Sequence, residues 1–139
     1  MRKLFIIIFS FLAVSFFSCS DEKKVDNAAA LAAKEYYDSL LAGNHEYFVR
    51  GMYLPDTIPD SYREQLEANA SMFVERMGNE HHGINEVRVM RCQNDTVPSA
   101  DGRSHVHTAQ AFLVFSLGDS LNEEVVVPMI QHKGRWLMR

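Results

Sequence analysis

The feature that most constrains this chain is a change of hydrophobic period at Ile84. Before it, apolar residues recur at every third or fourth position; beyond it they alternate. The first spacing fits one face of an α-helix and the second one face of a β-strand. Helices that come first, followed by strands joined by short turns, predict an α+β fold. In it, N-terminal helices pack on a curved antiparallel sheet of about four strands.

The first helix is expected over Ala28–Ala42, with Asp26 and Asn27 as caps and Gly43 as a left-handed stop. Ala30, Ala33, Tyr37, Leu40 and Leu41 form its apolar stripe. Asn44 caps a short second helix, His45 to Arg50, which buries Tyr47, Phe48 or Met52. Pro55 and Pro59 hold the next segment out of a helix. Ser61-Tyr62-Arg63-Glu64 reads as a capping box that opens a third helix, closed after Met77 by Gly78. Its stripe is Tyr62, Leu66, Ala70, Phe73 and Met77. Glu86–Cys92 is the first strand, and Asn94–Arg103 is a turn-rich connection. His105–Leu117 and Leu121–His132 are long strands joined by a hairpin at Gly118-Asp119. Lys133-Gly134 turns into a last strand, Arg135–Met138, whose Trp136 and Met138 are expected to pack on Phe73 and Met77. Arg63 and Arg76 on the third helix, and Arg88 and Arg91 on opposite faces of the first strand, read as solvated surface.

The N-terminal segment follows other rules. Arg2 and Lys3 precede a nearly unbroken apolar run, Leu4–Phe17, of 14 residues. As a helix it is about 21 Å long, against about 30 Å of bilayer hydrocarbon. That length suits the h-region of a signal peptide. Phe16-Phe17-Ser18-Cys19 resembles the lipobox of bacterial lipoproteins, with Ser18 as the small residue before the cysteine and Phe16 where leucine is usual. The resemblance implies removal of residues 1–18 and lipidation of Cys19, which anchors the chain to a membrane in the cell envelope. The periplasmic face of the outer membrane and the cell surface both fit. Residues 19–26 are then a charged tether and residues 27–139 the domain. A secreted protein cut nearby is the alternative.

With Cys19 lipidated, Cys92 stands alone and no internal disulfide is available. The 139-residue chain has a formal charge of −4. From Cys19 onward it keeps 12 basic and 18 acidic residues, a charge of −6. Such an acidic body has no general affinity for nucleic acid or for an anionic membrane surface. Gly-rich phosphate loops, nucleophile elbows and zinc-protease helices are absent from the sequence. Nothing implies a cofactor.

His105-x-His107 is the sharpest chemical constellation. Two rings on one face of a strand, about 7 Å apart, suit one metal ion. His132 on a neighbouring strand is a further weak candidate, as is the His81-His82 pair ahead of the sheet. No spaced cysteine or acidic partner supports them. Solvated histidines at the wet end of a strand are the plainer reading, and no metal is assigned.

Three segments carry a family resemblance: residues 32–44 (AAKEYYDSLLAGN), 109–115 (AQAFLVF) and 129–138 (MIQHKGRWLM). Together they resemble the NTF2-like (cystatin-like cone) superfamily, and more narrowly its small DUF4878-type bacterial lipoproteins. The resemblance implies a sheet bent around the long helix to leave a conical pocket. It supplies no catalytic residue. Residues expected at such a pocket are Tyr37, Tyr62, Phe73, Met77, His107, Ala109, Ala111, Leu113, Phe115 and Trp136. In an isomerase or hydrolase, His107 with Tyr37 or Tyr62 would serve as acid and base. The apolar run from Ala109 to Phe115 favours a non-enzymatic lipoprotein that binds a small apolar ligand or an envelope protein. A homodimer through the open sheet face is compatible with either.

Acylation requires a thiol, so Cys19→Ala should leave the chain unprocessed or release it from the membrane fraction. Fractionation with mass spectrometry of the N-terminal peptide checks this; a Cys19→Ala chain that still carries lipid would refute the anchor.

Overall fold

Five alanines favour a helix over Ala28–Leu41 (α1), and the computed structural model, which describes residues 26–139, has it there. The expected signal segment, Cys19 and the expected tether up to Val25 lie outside the described residues. Asp26, not Asn27, supplies the first cap: its Oδ1 accepts the Ala28 amide at 3.0 Å. Gly43 takes the left-handed conformation that ends the helix. Asn44 Oδ1 then accepts the Tyr47 amide and opens α2, His45–Arg50.

The buried face of α1 is Ala29, Ala30, Ala33, Tyr36 and Leu40. Tyr36 is therefore more deeply buried than its neighbour Tyr37, reversing the expected stripe by one residue. The three alanines are fully covered. Their methyl groups let the helix lie close against the sheet, and α1 touches all four strands.

The third helix starts earlier and ends later than its sequence signals suggest. α3 runs Asp60–His81, 22 residues, with Pro59 as the residue before its first turn. The capping box does not form, because Ser61 is already inside the helix. The Pro59 carbonyl accepts the Tyr62 and Arg63 amides instead, and Asp60 brings negative charge to the helix start. Gly78 does not stop the helix, since a glycine inside a helix costs only about 1 kcal/mol. The stop is His82-Gly83, both at positive φ, where the Gly83 amide reaches back to the Met77 carbonyl.

Four antiparallel strands follow in sequence order: β1 Ile84–Pro98, β2 His105–Leu117, β3 Asn122–His132 and β4 Arg135–Met138. β1 is longer than expected. The turn-rich stretch from Asn94 stays paired to β2 until Pro98 meets His105, because β2 offers a partner all the way. Pro98 sits at the strand end, where its missing N–H is tolerated. The remaining turn is tied by Asp101, which accepts from Ser99 Oγ and the Arg103 amide.

Two register shifts interrupt β1, at Ile84/Glu86 and Val89/Arg91. A bulge adds one residue and reverses which face the following side chains take. Arg88 and Arg91 consequently lie on the same face, opposite Val114 and Phe112 of β2, rather than on opposite faces. Their face is turned away from the helices. The inner face of β2 carries Ala109, Ala111, Leu113, Phe115 and Leu117, all buried. Val87, Val127 and Met129 flank them from the neighbouring strands.

Trp136 does not pack as expected. It is half-buried and lies beside Ala28 at the start of α1, whereas Phe73 sits near Tyr37 at the other end. The Tyr36 hydroxyl donates to the Trp136 carbonyl at 2.8 Å, fixing β4 to α1. Met138, by contrast, is buried.

Leu113 is 0% exposed at the centre of β2. Leu113→Ala should cost about 2–5 kcal/mol in urea unfolding. Trp136→Ala should cost less, because part of that ring is already in water. The reverse order would place the tryptophan, not the leucine, at the core.

Candidate functional site

α3 leans on the sheet only near its C-terminal end, against β1, and otherwise rests on α1 and α2. The N-terminal half of its apolar stripe is left without a covering layer. Tyr62 is exposed and Leu66 half-buried. They face an apolar cleft between α1, α2, α3 and β3, made of two adjoining hollows of about 360 and 280 Å³. Tyr37, Phe48, Met52 and Leu66 line both hollows. Phe73 closes one end and Met138 with Val127 the other.

Aromatic packing holds the cleft open. The Tyr37 ring meets Phe48 at 5.2 Å, Phe115 at 5.1 Å and Phe73 at 6.5 Å between centroids, all tilted or edge-on. Such pairs add about 0.5–1.5 kcal/mol each beyond area burial. They join α1 to α2, to β2 and to α3. Burial pushes the Tyr37 phenol above its ordinary pKa, so it is neutral.

Across a strap of chain lies a more polar cleft of about 460 Å³. Arg50, Arg63, Lys133, Arg135 and His132 line it, together with Glu46 and Asp56. The strap, Met52 to Leu54, lines both clefts. Its start is tied to the sheet, since the Tyr53 amide donates to the Met138 carbonyl at 2.6 Å and Met52 bridges Met138. The Tyr53 ring stands edge-on to His132 at 5.3 Å.

The expected site residues are distributed over several places. Tyr37, Tyr62 and Phe73 come together in the apolar cleft. Met77, Ala109, Ala111, Leu113 and Phe115 are buried in the core. His107 and Trp136 line a third, polar hollow at the start of α1, with Asp26, Asn94 and Thr96. His107 is exposed and lies 3.4 Å from Thr96 Oγ1. It therefore shares no cleft with Tyr37 or Tyr62. His105 is exposed at the start of β2, and His132 faces the cationic cleft. Among the described residues, no three His, Cys, Asp or Glu side chains form a group able to hold a metal. Cys92 is half-buried, and burial pushes its thiol pKa up. No described helix is long and apolar enough to cross a membrane.

On the outer sheet face, Met90 and Val126 are exposed. The Arg91 guanidinium covers Phe112, 3.7 Å from the ring centroid. This is the open face on which a second copy was expected to dock.

One titrating pair was invisible in the sequence. His81 ends α3 and Asp119 lies in the β2–β3 hairpin, 38 positions away, yet His81 Nδ1 is 2.8 Å from Asp119 Oδ2. The hydrogen bond to Asp119 raises the His81 pKa, and the same contact lowers that of Asp119. Beside it the Gly118 amide donates to the Gly83 carbonyl. A Cβ at Gly118 would lie 2.3 Å from the His82 carbonyl oxygen, so only glycine fits. The pair is a staple between helix and hairpin, and neither residue lines a cleft described above.

No family model and no curated protein matches this chain. Among solved structures it is similar to one from Campylobacter jejuni whose name assigns it provisionally as an NTF2-like transpeptidase. The identity is 16% and the TM-score 0.47, over 76% of this chain and 92% of that one.

The staple sets a pH window. The stabilisation from His81 is complete below its unfolded pKa, about 6.5, and is lost as pH rises through the higher folded value. That from Asp119 is present above its unfolded pKa, about 3.9, and is lost as pH falls through the lower folded value. Urea midpoints should therefore be highest between about pH 4 and 6.5. Asp119→Asn should flatten both slopes; unchanged slopes would show that other groups set them.

Proposed function

We propose that this chain is a cell-envelope lipoprotein whose NTF2-like domain binds a small apolar ligand in the cleft between α1, α3 and β3, without carrying out chemistry on it. The observation that carries this reading is the lining of the cleft's inner hollow. Tyr37, Leu40, Phe48, Met52, Leu66, Asn69, Ala70 and Phe73 form it. Tyrosine is the one ionisable type among them, and burial holds that phenol neutral. A general acid or base needs a group that titrates near the working pH, whereas an apolar ligand needs concave apolar surface with a few polar groups. The lining supplies the second.

The order of elements supports the NTF2-like assignment: helices first, then a four-stranded antiparallel meander in sequence order, with α1 laid across every strand. The lipobox-like junction at Cys19 supports the anchor. An acidic body held at a membrane by lipid would carry its cleft a short tether away from that surface.

An uncharged alkyl probe bearing a diazirine, photolysed with the intact protein, checks the reading. Peptide mass spectrometry should find saturable labelling within residues 37–52 and 62–73. Leu66→Arg, at a half-buried cleft wall, should weaken labelling about tenfold, equivalent to about 1.4 kcal/mol, with an unchanged circular dichroism spectrum. Labelling that never saturates, or that the variant does not affect, would refute the cleft as a binding site.

A further inference from the structure

The two clefts that share the Met52 to Leu54 strap differ in chemistry, and their difference is that between the two ends of one kind of molecule. On one side the lining is mostly aromatic and aliphatic, with Asn69 in the inner hollow and Arg139 in the outer one. On the other, in excess over the two carboxylates of that cleft, Glu46 and Asp56, stand Arg50, Arg63, Lys133 and Arg135. These are four of the 12 basic residues that follow the signal segment, on a body with a charge of −6. Chance placement on so acidic a surface would not be expected to gather a third of the cations around one cleft.

Two of the four are partly engaged. Arg50 pairs with Glu46, and Arg63 lies 3.9 Å from Asp60. Lys133 and Arg135 form no ion pair among the described residues, and both are exposed on the turn and first residue of β4. Lys133 adopts φ +50 in that turn, a conformation that favours Gly, Asn or Asp over a long side chain. The turn thus holds a cation at the rim of the cleft against local preference.

We propose that the ligand is a single-chain anionic amphiphile, with its alkyl chain in the apolar cleft and its carboxylate or phosphate head beyond the strap, beside Lys133 and Arg135. This rests on the reading of the apolar cleft as a ligand site and adds the charge of the ligand's head. Arg135 supplies a planar fork matched to either head, and Lys133 a point charge. Because both are exposed, their attraction is screened by salt.

Three decyl diazirine probes test the proposal on the intact lipidated protein: one with a carboxylate head, one with a phosphate head and one with a hydroxyl. Either anionic probe should label the apolar cleft at concentrations about tenfold below the alcohol, equivalent to about 1.4 kcal/mol. The advantage should shrink as salt rises. Whichever anion labels at the lower concentration identifies the head. In the double variant Lys133→Glu, Arg135→Glu the advantage should vanish while the alcohol probe labels as before. Equal labelling by alcohol and anions, or an advantage that survives charge reversal, overturns the anionic head and leaves the apolar cleft standing. Failure of all three probes to saturate overturns both.

Discussion

The structure depends on how closely α1 can lie against its sheet. Ala29, Ala30 and Ala33 present only methyl groups there, and all are fully covered. A larger residue at any of them would lift the helix off the strands and lose contacts along its length. The close approach also lets the Tyr36 hydroxyl reach the Trp136 carbonyl. At the same place Gly51 passes against the Tyr36 ring, where a Cβ would sit 2.5 Å from Cδ1. Helix, strap and last strand are thereby fixed together by one ring.

With α1 occupying the middle of the sheet, α3 has nowhere to bury its whole stripe. It finds cover for Ala70 and Met77 and leaves Tyr62 and Leu66 at the edge of a cleft. The cleft follows from an α3 of 22 residues leaning on the sheet at one end. Tyr37, turned away from the most buried face of α1, fills the angle between the layers and contacts Phe48, Phe73 and Phe115. Such rings keep the gap from collapsing, since closing it would break tilted or edge-on contacts on three sides.

Polar contacts act at the periphery. The His81–Asp119 pair and the Gly118–Gly83 backbone bond close the end of the domain opposite Trp136. Among the described residues every buried side-chain nitrogen and oxygen has a partner. On the wet side of the strap four cations, Arg50, Arg63, Lys133 and Arg135, line one cleft.

Periodicity alone determined the class: a helical spacing up to Met77 and an alternating one after Ile84 leave helices on an antiparallel sheet as the consistent outcome. It also determined α2 with its Asn44 cap, the inner face of β2 from Ala109 to Phe115, and the turn at Lys133-Gly134, because these depend on neighbours within a few residues. The ends of α3, the extension of β1 to Pro98 and the common face of Arg88 and Arg91 depend on what stands opposite, and local signals misplaced them. The break in alternation from Val89 to Cys92 was the one trace of the bulge. The strap between two unlike clefts and the pairing of His81 with Asp119 were decided by tertiary structure alone. They join residues tens of positions apart, and a hydrophobic pattern says which face is buried but not which two faces leave a gap between them.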